Sequence, residues 1–315
     1  MIRVDAKNAA GWPRVVVMGA GAVGSYFGGM LARAGAPVTL ISRRAHVEAI
    51  ARDGLFLDTV HFQERVAVAA STQPEAARDA ELVLFCVKTL DTEAAARLLA
   101  PHLKPGALVL SLQNGVDNVE RIRAAAGIEA VPTVVYVAVA VPAPGRVKHS
   151  GRGDLVIGRA SRDVLERVAT TFARAGVPCR ISENIEGELW SKLVWNCAGN
   201  ALTALTRATY GQVARNAAAR QVLLAVANEV LDVARAAGVQ LPSADLAAAG
   251  LKLAHDLGEA TSSTAQDMAR GKRTEIDALN GFVARRGTEL GVPTPVNHTL
   301  YALVKLLEES LPGNQ

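Results

Sequence analysis

The stretch VVVMGAGAVGSYFGGMLARAG, residues 15–35, constrains the fold of this chain more than any other. A β-branched run reads as a buried strand, and it gives way at once to Gly19-Ala20-Gly21-Ala22-Val23-Gly24 and an Ala- and Gly-rich helical segment ending near Gly35. A GxGxxG alone is a weak signal, and a plain turn in an α/β protein is the bland reading. Set between a strand and a helix, the motif acquires a mechanism. Gly19 permits the tight turn, Gly21 lets backbone approach a pyrophosphate, and Gly24 allows close helix–strand packing, with the helix N-terminus facing the anion.

The next strand, PVTLI (37–41), bears on which dinucleotide is bound. Dinucleotides with a free ribose usually meet an Asp or Glu at its end, about 20 residues on. This strand instead runs into Ser42-Arg43-Arg44, with no acid. A carboxylate there would repel a 2′-phosphate, whereas a guanidinium can bind it bidentately, so the residues point to NADP rather than NAD or FAD. Either arginine could also be no more than solvated surface.

Up to about residue 180 the pattern continues as ELVLFCV (81–87), the helical TEAAARLLAPHL, and ALVLSL (107–112). Unbroken apolar runs separated by helices predict a parallel sheet covered on both faces. TVVYVAVAV, GRVKHSG and GDLVIGR then predict close-spaced strands in an antiparallel or mixed extension of that sheet. From about 184 the rhythm changes to 3.6-residue periods over 186–206, 215–237, 243–257, 261–270 and 275–290, with a last helix near 297–309. Gly238, Pro242, Gly258, Gly271, Gly291 and Pro293 mark the breaks. The expected architecture is α/β: a Rossmann-type dinucleotide-binding domain over 1–183, followed by an all-α C-terminal domain over 184–315.

Composition narrows the classes of function. A net charge of +4, with 34 basic and 30 acidic residues and no long Lys/Arg run, argues against a nucleic-acid partner. Cys86, Cys179 and Cys197 form an odd set with no CxxC, which fits reduced thiols in a cytoplasmic setting. MIRVDAKNAAGW, at the start, lacks the apolar segment of a signal peptide, and the apolar run at 133–141 is far too short to span a bilayer. The chain therefore reads as soluble, with no membrane partner. The six histidines show neither HxxxH spacing nor pairing with cysteine, so no metal is expected. Ala-rich helices such as 215–237 could pack against a second copy, which leaves a homodimer open.

Two strand ends carry polar groups where ligands of open α/β sheets bind: Lys88 after ELVLFCV, and Asn114-Gly115 after ALVLSL. Lys88 could equally be surface, and Asn114 only part of a turn. In ELWSKLVWNCAGNALTALT (188–206), an otherwise apolar helix, Lys192, Asn196 and Asn200 recur every fourth residue. Four residues turn only about 40° past a full turn, so the three share one stripe.

Together with SSTAQDMARGKRTEIDALNGF (262–282), the glycine loop, Lys88, the QNG segment and the Lys–Asn–Asn stripe resemble the ketopantoate reductase family, from about Val15 to the last helix. The TEIDALNGF segment and the Lys–Asn–Asn spacing are the most specific parts. The resemblance implies reduction of 2-dehydropantoate to pantoate with NADPH, on the way to pantothenate and coenzyme A. It implies Lys192 as proton donor, Asn196, Asn200 and Ser263 on the substrate, and Asn114 between nicotinamide and substrate. Lys88 would touch the cofactor, Arg43 would hold the 2′-phosphate, and Glu275 would contact the cofactor or anchor the active-site end. Tyr210 stands where the family pattern has a further substrate-binding Asn, which leaves the identity of the 2-oxo acid open. About a dozen residues also precede the first strand.

The polar stripe then has a physical account. Hydride reduction of a ketone leaves negative charge on oxygen. An ammonium, with an ordinary pKa of about 10.4, is charged at neutral pH and can both stabilise that oxygen and donate the proton. Two carboxamides extend the stripe to about 12 Å, and they donate and accept without adding charge. The asparagines could instead form a buried polar ladder between helices. Glu188, four residues before Lys192, and Glu275 are candidate ion partners for the lysine. The rival functions are an opine-type or hydroxy-acid dehydrogenase, a reductase of another 2-oxo acid, and a non-catalytic NADP-binding sensor.

Overall fold

The computed structural model describes residues 11–242 and 245–310. Residues 1–10 of the N-terminal dozen, and the first two residues of the 243–257 pattern, lie outside them. The chain divides into two compact units, one of Met1–Gln113 with Asp117–Ile185 and the other of Asn114–Val116 with Glu186–Gln315.

The first unit begins β1 (Val15–Met18), α1 (Ala22–Arg33), β2 (Val38–Ile41), α2 (Arg44–Asp53), β3 (Leu55–Asp58), β4 (Gln63–Val66) and β5 (Ala69–Ser71). It continues with β6 (Leu82–Phe85), α3 (Thr92–Leu99), β7 (Leu108–Ser111), α4 (Asn118–Ala126), β8 (Ala130–Ala143), β9 (Arg146–Ile157), α5 (Arg162–Arg174) and β10 (Cys179–Ile181). One sheet runs β4-β3-β9-β8-β7-β6-β1-β2-β5, with β10 on β9. From β5 to β8 every neighbouring pair is parallel. The chain leaves β1 on one side for β2 and β5 and returns on the other with β6, so the order reverses between β1 and β6. Ligands of such sheets bind beyond the strand ends at that reversal.

The central strands are buried on both faces, as their unbroken apolar runs predict. Alternation of side chains sends Val15, Val17, Leu82 and Leu84 into a core with Phe27 and Phe172. Val16, Met18, Val83 and Phe85 enter a second core with Leu99 and Ile122. The mixed extension is present, with one difference from the sequence expectation: GRVKHSG and GDLVIGR form the single strand β9, antiparallel to β8. The glycines that suggested a turn serve bulges instead. The register slips between Tyr136 and Val137, Arg152 takes φ 56°, and a Cβ on Gly153 would lie 2.6 Å from the Tyr26 hydroxyl.

The second unit is helical: α6 (Ile185–Thr206), α7 (Tyr210–Arg215), α8 (Ala217–Ala236), α9 (Leu246–Leu257), α10 (Ser263–Ala269), α11 (Asn280–Leu290) and α12 (Pro295–Glu309). Its core gathers Trp190, Leu193, Val194 and Cys197 of α6 with Val226 and Val230 of α8, Val283 of α11 and Val304 of α12. The pattern at 215–237 starts later than expected, because the Asn216 side chain caps α8 by accepting from the Ala219 amide. The pattern at 275–290 is broken into a 3₁₀ turn at Ile276–Ala278 and α11. Leu279 is non-helical there, and buried Asn280 donates to the Cys197 carbonyl and to Asn297 Oδ1.

Candidate active site

In the α/β unit the three glycines divide the work as their motif requires. Gly19 has φ +90°, and a Cβ on it would fall 2.7 Å from the Val87 nitrogen, so the loop after β1 lies hard against the chain leaving β6. A Cβ on Gly24 would meet the Gly19 carbonyl and Val17 at 2.7 Å, so helix and strand approach closely. Gly21 has open space within 4 Å of the same test position. It is the N-cap of α1, whose first turn carries no acidic residue, with Ala22 and Val23 opening the helix. An exposed glycine before an uncapped helix N-terminus is a cradle that fits a pyrophosphate.

The loop is rigidly held. Gly19 and Ala20 both donate to the Ile41 carbonyl, at 3.2 and 2.8 Å. The Ala20 carbonyl accepts from Ser25 Oγ at 3.0 Å and Ser42 Oγ at 3.1 Å. Arg43 is the exposed N-cap residue of α2, two positions beyond the strand end that fixes the loop. A helix N-terminus with a solvent-facing guanidinium suits a phosphate. Lys88 is half-buried, follows Val87 directly, and opens a 3₁₀ turn at Thr89–Asp91. Its strand end is braced by Gln113 of the QNG segment, a role that no local sequence signal marks. Gln113 Nε2 donates to the Val87 carbonyl at 3.1 Å and to Thr92 Oγ1 at 2.8 Å, while its oxygen accepts from Ser111 at 3.0 Å.

In the helical unit three predicted residues meet in one chain of hydrogen bonds. Lys192 Nζ donates to Asn114 Oδ1 at 2.9 Å, and Asn114 Nδ2 donates to Glu275 Oε2 at 3.0 Å. The Asn114 carboxamide thus joins Lys192 to Glu275. Its own position is fixed from both sides. The Thr274 amide donates to buried Glu308 at 2.6 Å, and Asp277 accepts from Tyr301 at 2.8 Å and Lys305 at 3.0 Å. Burial alone would push the Asp277 carboxyl up; hydrogen bonds from Lys305 and Tyr301 outweigh it and hold the group below its ordinary range.

Two turns along α6, Asn200 is 3 % exposed, and its Oδ1 accepts the Tyr210 hydroxyl at 2.9 Å. The Tyr210 ring lies where a Cβ on Gly199 would be 2.6 Å away, so the glycine in the middle of α6 makes room for it. Burial, opposed in part by Ser262, pushes the Tyr210 phenol up to about 12. Ser262 caps α10 by accepting from the Ala265 amide, which leaves Ser263 exposed on its first turn. Asn196 is half-buried, midway along the stripe, and joins neither chain of bonds among the described residues.

Cys86 and Cys197 are held protonated by burial. Among the described residues no three His, Cys, Asp or Glu side chains gather as metal ligands, and no helix is long and apolar enough to cross a membrane.

Comparisons with known proteins extend across nearly the whole chain. Residues 15–162 match the family model for ketopantoate reductase PanE/ApbA, and residues 184–308 match the model for its C-terminal region. A 2-dehydropantoate 2-reductase of Archaeoglobus fulgidus is 36 % identical over 95 % of this chain and 99 % of its own length. A PanE/ApbA family ketopantoate reductase of Ralstonia eutropha JMP134 superposes with a TM-score of 0.90 at 51 % identity, covering 94 % of this chain and 98 % of that one. The 2-dehydropantoate 2-reductase of Geobacter metallireducens GS-15 gives 0.87 at 27 % identity, covering 93 % and 99 %. The chain belongs to the ketopantoate reductase family.

Proposed function

We propose that this chain is a cytoplasmic oxidoreductase that reduces 2-dehydropantoate to pantoate with NADPH, serving pantothenate and coenzyme A synthesis. The observation that carries the reading is the bond from Lys192 to Asn114, backed by Glu275. Relatives named for this reaction, matched over nearly their full length, supply the substrate.

Residues 1–183 act as the NADP-binding domain. Gly19, Ala20, Gly21, Ala22, Val23 and Gly24 hold the pyrophosphate, Arg43 the 2′-phosphate, and Lys88 and Asn114 contact the remainder of the cofactor. Residues 184–315, the substrate and catalytic domain, bring Lys192, Asn196, Asn200 and Ser263 to the 2-oxo acid, with Asn114 as a further contact. The bound dinucleotide supplies the hydride. Lys192 stabilises the negative charge that develops on the carbonyl oxygen and then gives that oxygen its proton. Asn114 orients the ammonium, and Glu275 fixes which way the carboxamide faces.

The test is NADPH consumption by the purified chain with 2-dehydropantoate beside other branched 2-oxo acids, with and without amines. Turnover should be fastest with 2-dehydropantoate and need no amine. Faster turnover of another oxo acid, or a requirement for an amine, would replace the substrate. NADPH binding with no turnover across the panel would leave a sensor.

A further inference from the structure

A directional chain of hydrogen bonds runs from the β8–β9 turn to the glycine loop. The Gly145 amide donates to His46 Nδ1 at 3.0 Å, so that nitrogen carries no proton. The proton of the neutral ring is then on Nε2, 3.1 Å from Ser25 Oγ. The Ser25 hydroxyl spends its own proton on the Ala20 carbonyl at 3.0 Å. Ser25 is fully buried and His46 is 8 % exposed, so none of these groups can exchange its partner for bulk water. Burial also holds the imidazole below its ordinary pKa, which favours the neutral ring, while the Gly145 bond sets its tautomer.

His46 lies in the first turn of α2, where its amide and that of Val47 donate to the Arg43 carbonyl at 3.0 and 3.1 Å. One side chain thus links the helix start that carries Arg43 to the peptide that shapes the pyrophosphate cradle. We infer that His46 is a positioning residue for cofactor choice, its Nε2 proton tying the Arg43 end of α2 to the glycine loop through Ser25. The inference rests on the reading that Arg43 meets the 2′-phosphate. Bidentate contact with a phosphate tolerates little displacement, so loosening this tie should fall mainly on the cofactor that has the 2′-phosphate.

The experiment titrates the full chain and its His46→Phe, Ser25→Ala and His46→Gln variants with NADPH and with NADH. His46→Phe and Ser25→Ala should each weaken NADPH by about tenfold and NADH by less than about threefold, tenfold corresponding to about 1.4 kcal/mol. The double variant should be no worse than either single change, because both break the same link. His46→Gln can place an N–H near the former Nε2 and should stay within about threefold of wild type for NADPH. Equal losses for both cofactors, or a lower melting temperature with unchanged affinities, would reduce His46 to packing and overturn the inference alone. A wild-type chain that binds NADPH and NADH alike would overturn the Arg43 reading and the inference with it. Ser25→Ala removes only a hydroxyl, so it keeps the test open if His46→Phe does not fold.

Discussion

Lys192 and Asn114 are 78 positions apart in sequence, and their side chains meet at 2.9 Å. The bond has one sense. Turning the carboxamide over would set its N–H groups against the ammonium and its oxygen against the Glu275 carboxylate, opposing donor to donor and acceptor to acceptor. Glu275 thereby dictates that Asn114 shows its oxygen to the lysine.

Removing that ammonium should be the most damaging single change for catalysis. Lys192→Ala should lose about 10²–10⁴-fold in turnover, the usual loss for a positioned proton donor. NADPH affinity should be nearly unchanged, since the residues proposed to hold its phosphates, Gly19 to Gly24 and Arg43, are untouched. Lys192→Arg should recover little, because a guanidinium keeps the charge but gives up its proton far less readily. Steady-state kinetics beside NADPH titration separate the two effects. A folded Lys192→Ala enzyme working within a few-fold of wild type would remove the lysine from the reaction.

Arg43→Ala should raise the Michaelis constant for NADPH and leave that for NADH nearly alone. A charged hydrogen bond contributes about 1.5–3 kcal/mol, or about 10- to 150-fold in affinity. Arg44→Ala is the matched control and should do less, as the second residue of the pair. Equal effects of Arg43→Ala on both cofactors would mean that the arginine contacts something they share.

What could be read from the sequence was whatever one local segment dictates. The glycine loop was legible because a positive φ at Gly19 and close packing at Gly24 are demands of a single strand–turn–helix. The Lys192, Asn196, Asn200 stripe was legible from helical period. Pairings between distant segments were not: neither the Lys192–Asn114 bond nor the His46–Ser25 link leaves a local trace. Asn114–Val116 clusters with the helical unit although the chain on either side of it belongs to the α/β unit, and no composition shift marks that excursion. Gly151 and Gly153 misled in a definite way. Glycine serves a turn or a bulge equally well, and the choice depended on Tyr26, more than a hundred residues earlier.

Tyr210 should govern how the Asn200 end of the stripe meets the substrate. Its hydroxyl occupies Asn200 Oδ1, so under the proposed role Asn200 would meet the substrate with its N–H groups. Tyr210→Phe should release that oxygen, cost about 0.5–1.5 kcal/mol of stability, and change the Michaelis constant for the oxo acid while NADPH binding is preserved. Ser263→Ala should likewise act on the oxo acid and not on the cofactor.

The same tyrosine gives a pH signature. Its folded pKa, about 12, is above the ordinary 10. The unfolded chain therefore releases this proton first as pH rises, and the stabilisation, complete below about pH 10, is lost between about 10 and 12. Denaturant midpoints across that range should fall more steeply for wild type than for Tyr210→Phe. Parallel curves would show that the phenol is not held neutral by the fold.

The support behind Glu275 makes a prediction about a residue far along the chain. Glu308, on α12, is 3 % exposed and accepts the Thr274 amide at 2.6 Å, with Lys305 at 3.1 Å on its other oxygen. Glu308→Ala would leave a buried N–H next to Glu275 without this acceptor, a loss of about 1–3 kcal/mol in stability. If the Thr274–Asp277 segment sets the Glu275 carboxylate, the change should also slow turnover, because the Asn114 carboxamide loses its fixed orientation and Lys192 its placement. Glu308→Gln keeps an oxygen for the Thr274 amide while removing the charge that faces Lys305, so it should restore turnover more fully than stability. NADPH affinity should stay level throughout, since Glu308 acts on the acid and not on the phosphates. Glu308→Ala protein that is destabilised but turns over normally at a temperature where it is folded would show that α12 braces the helical unit without tuning the lysine.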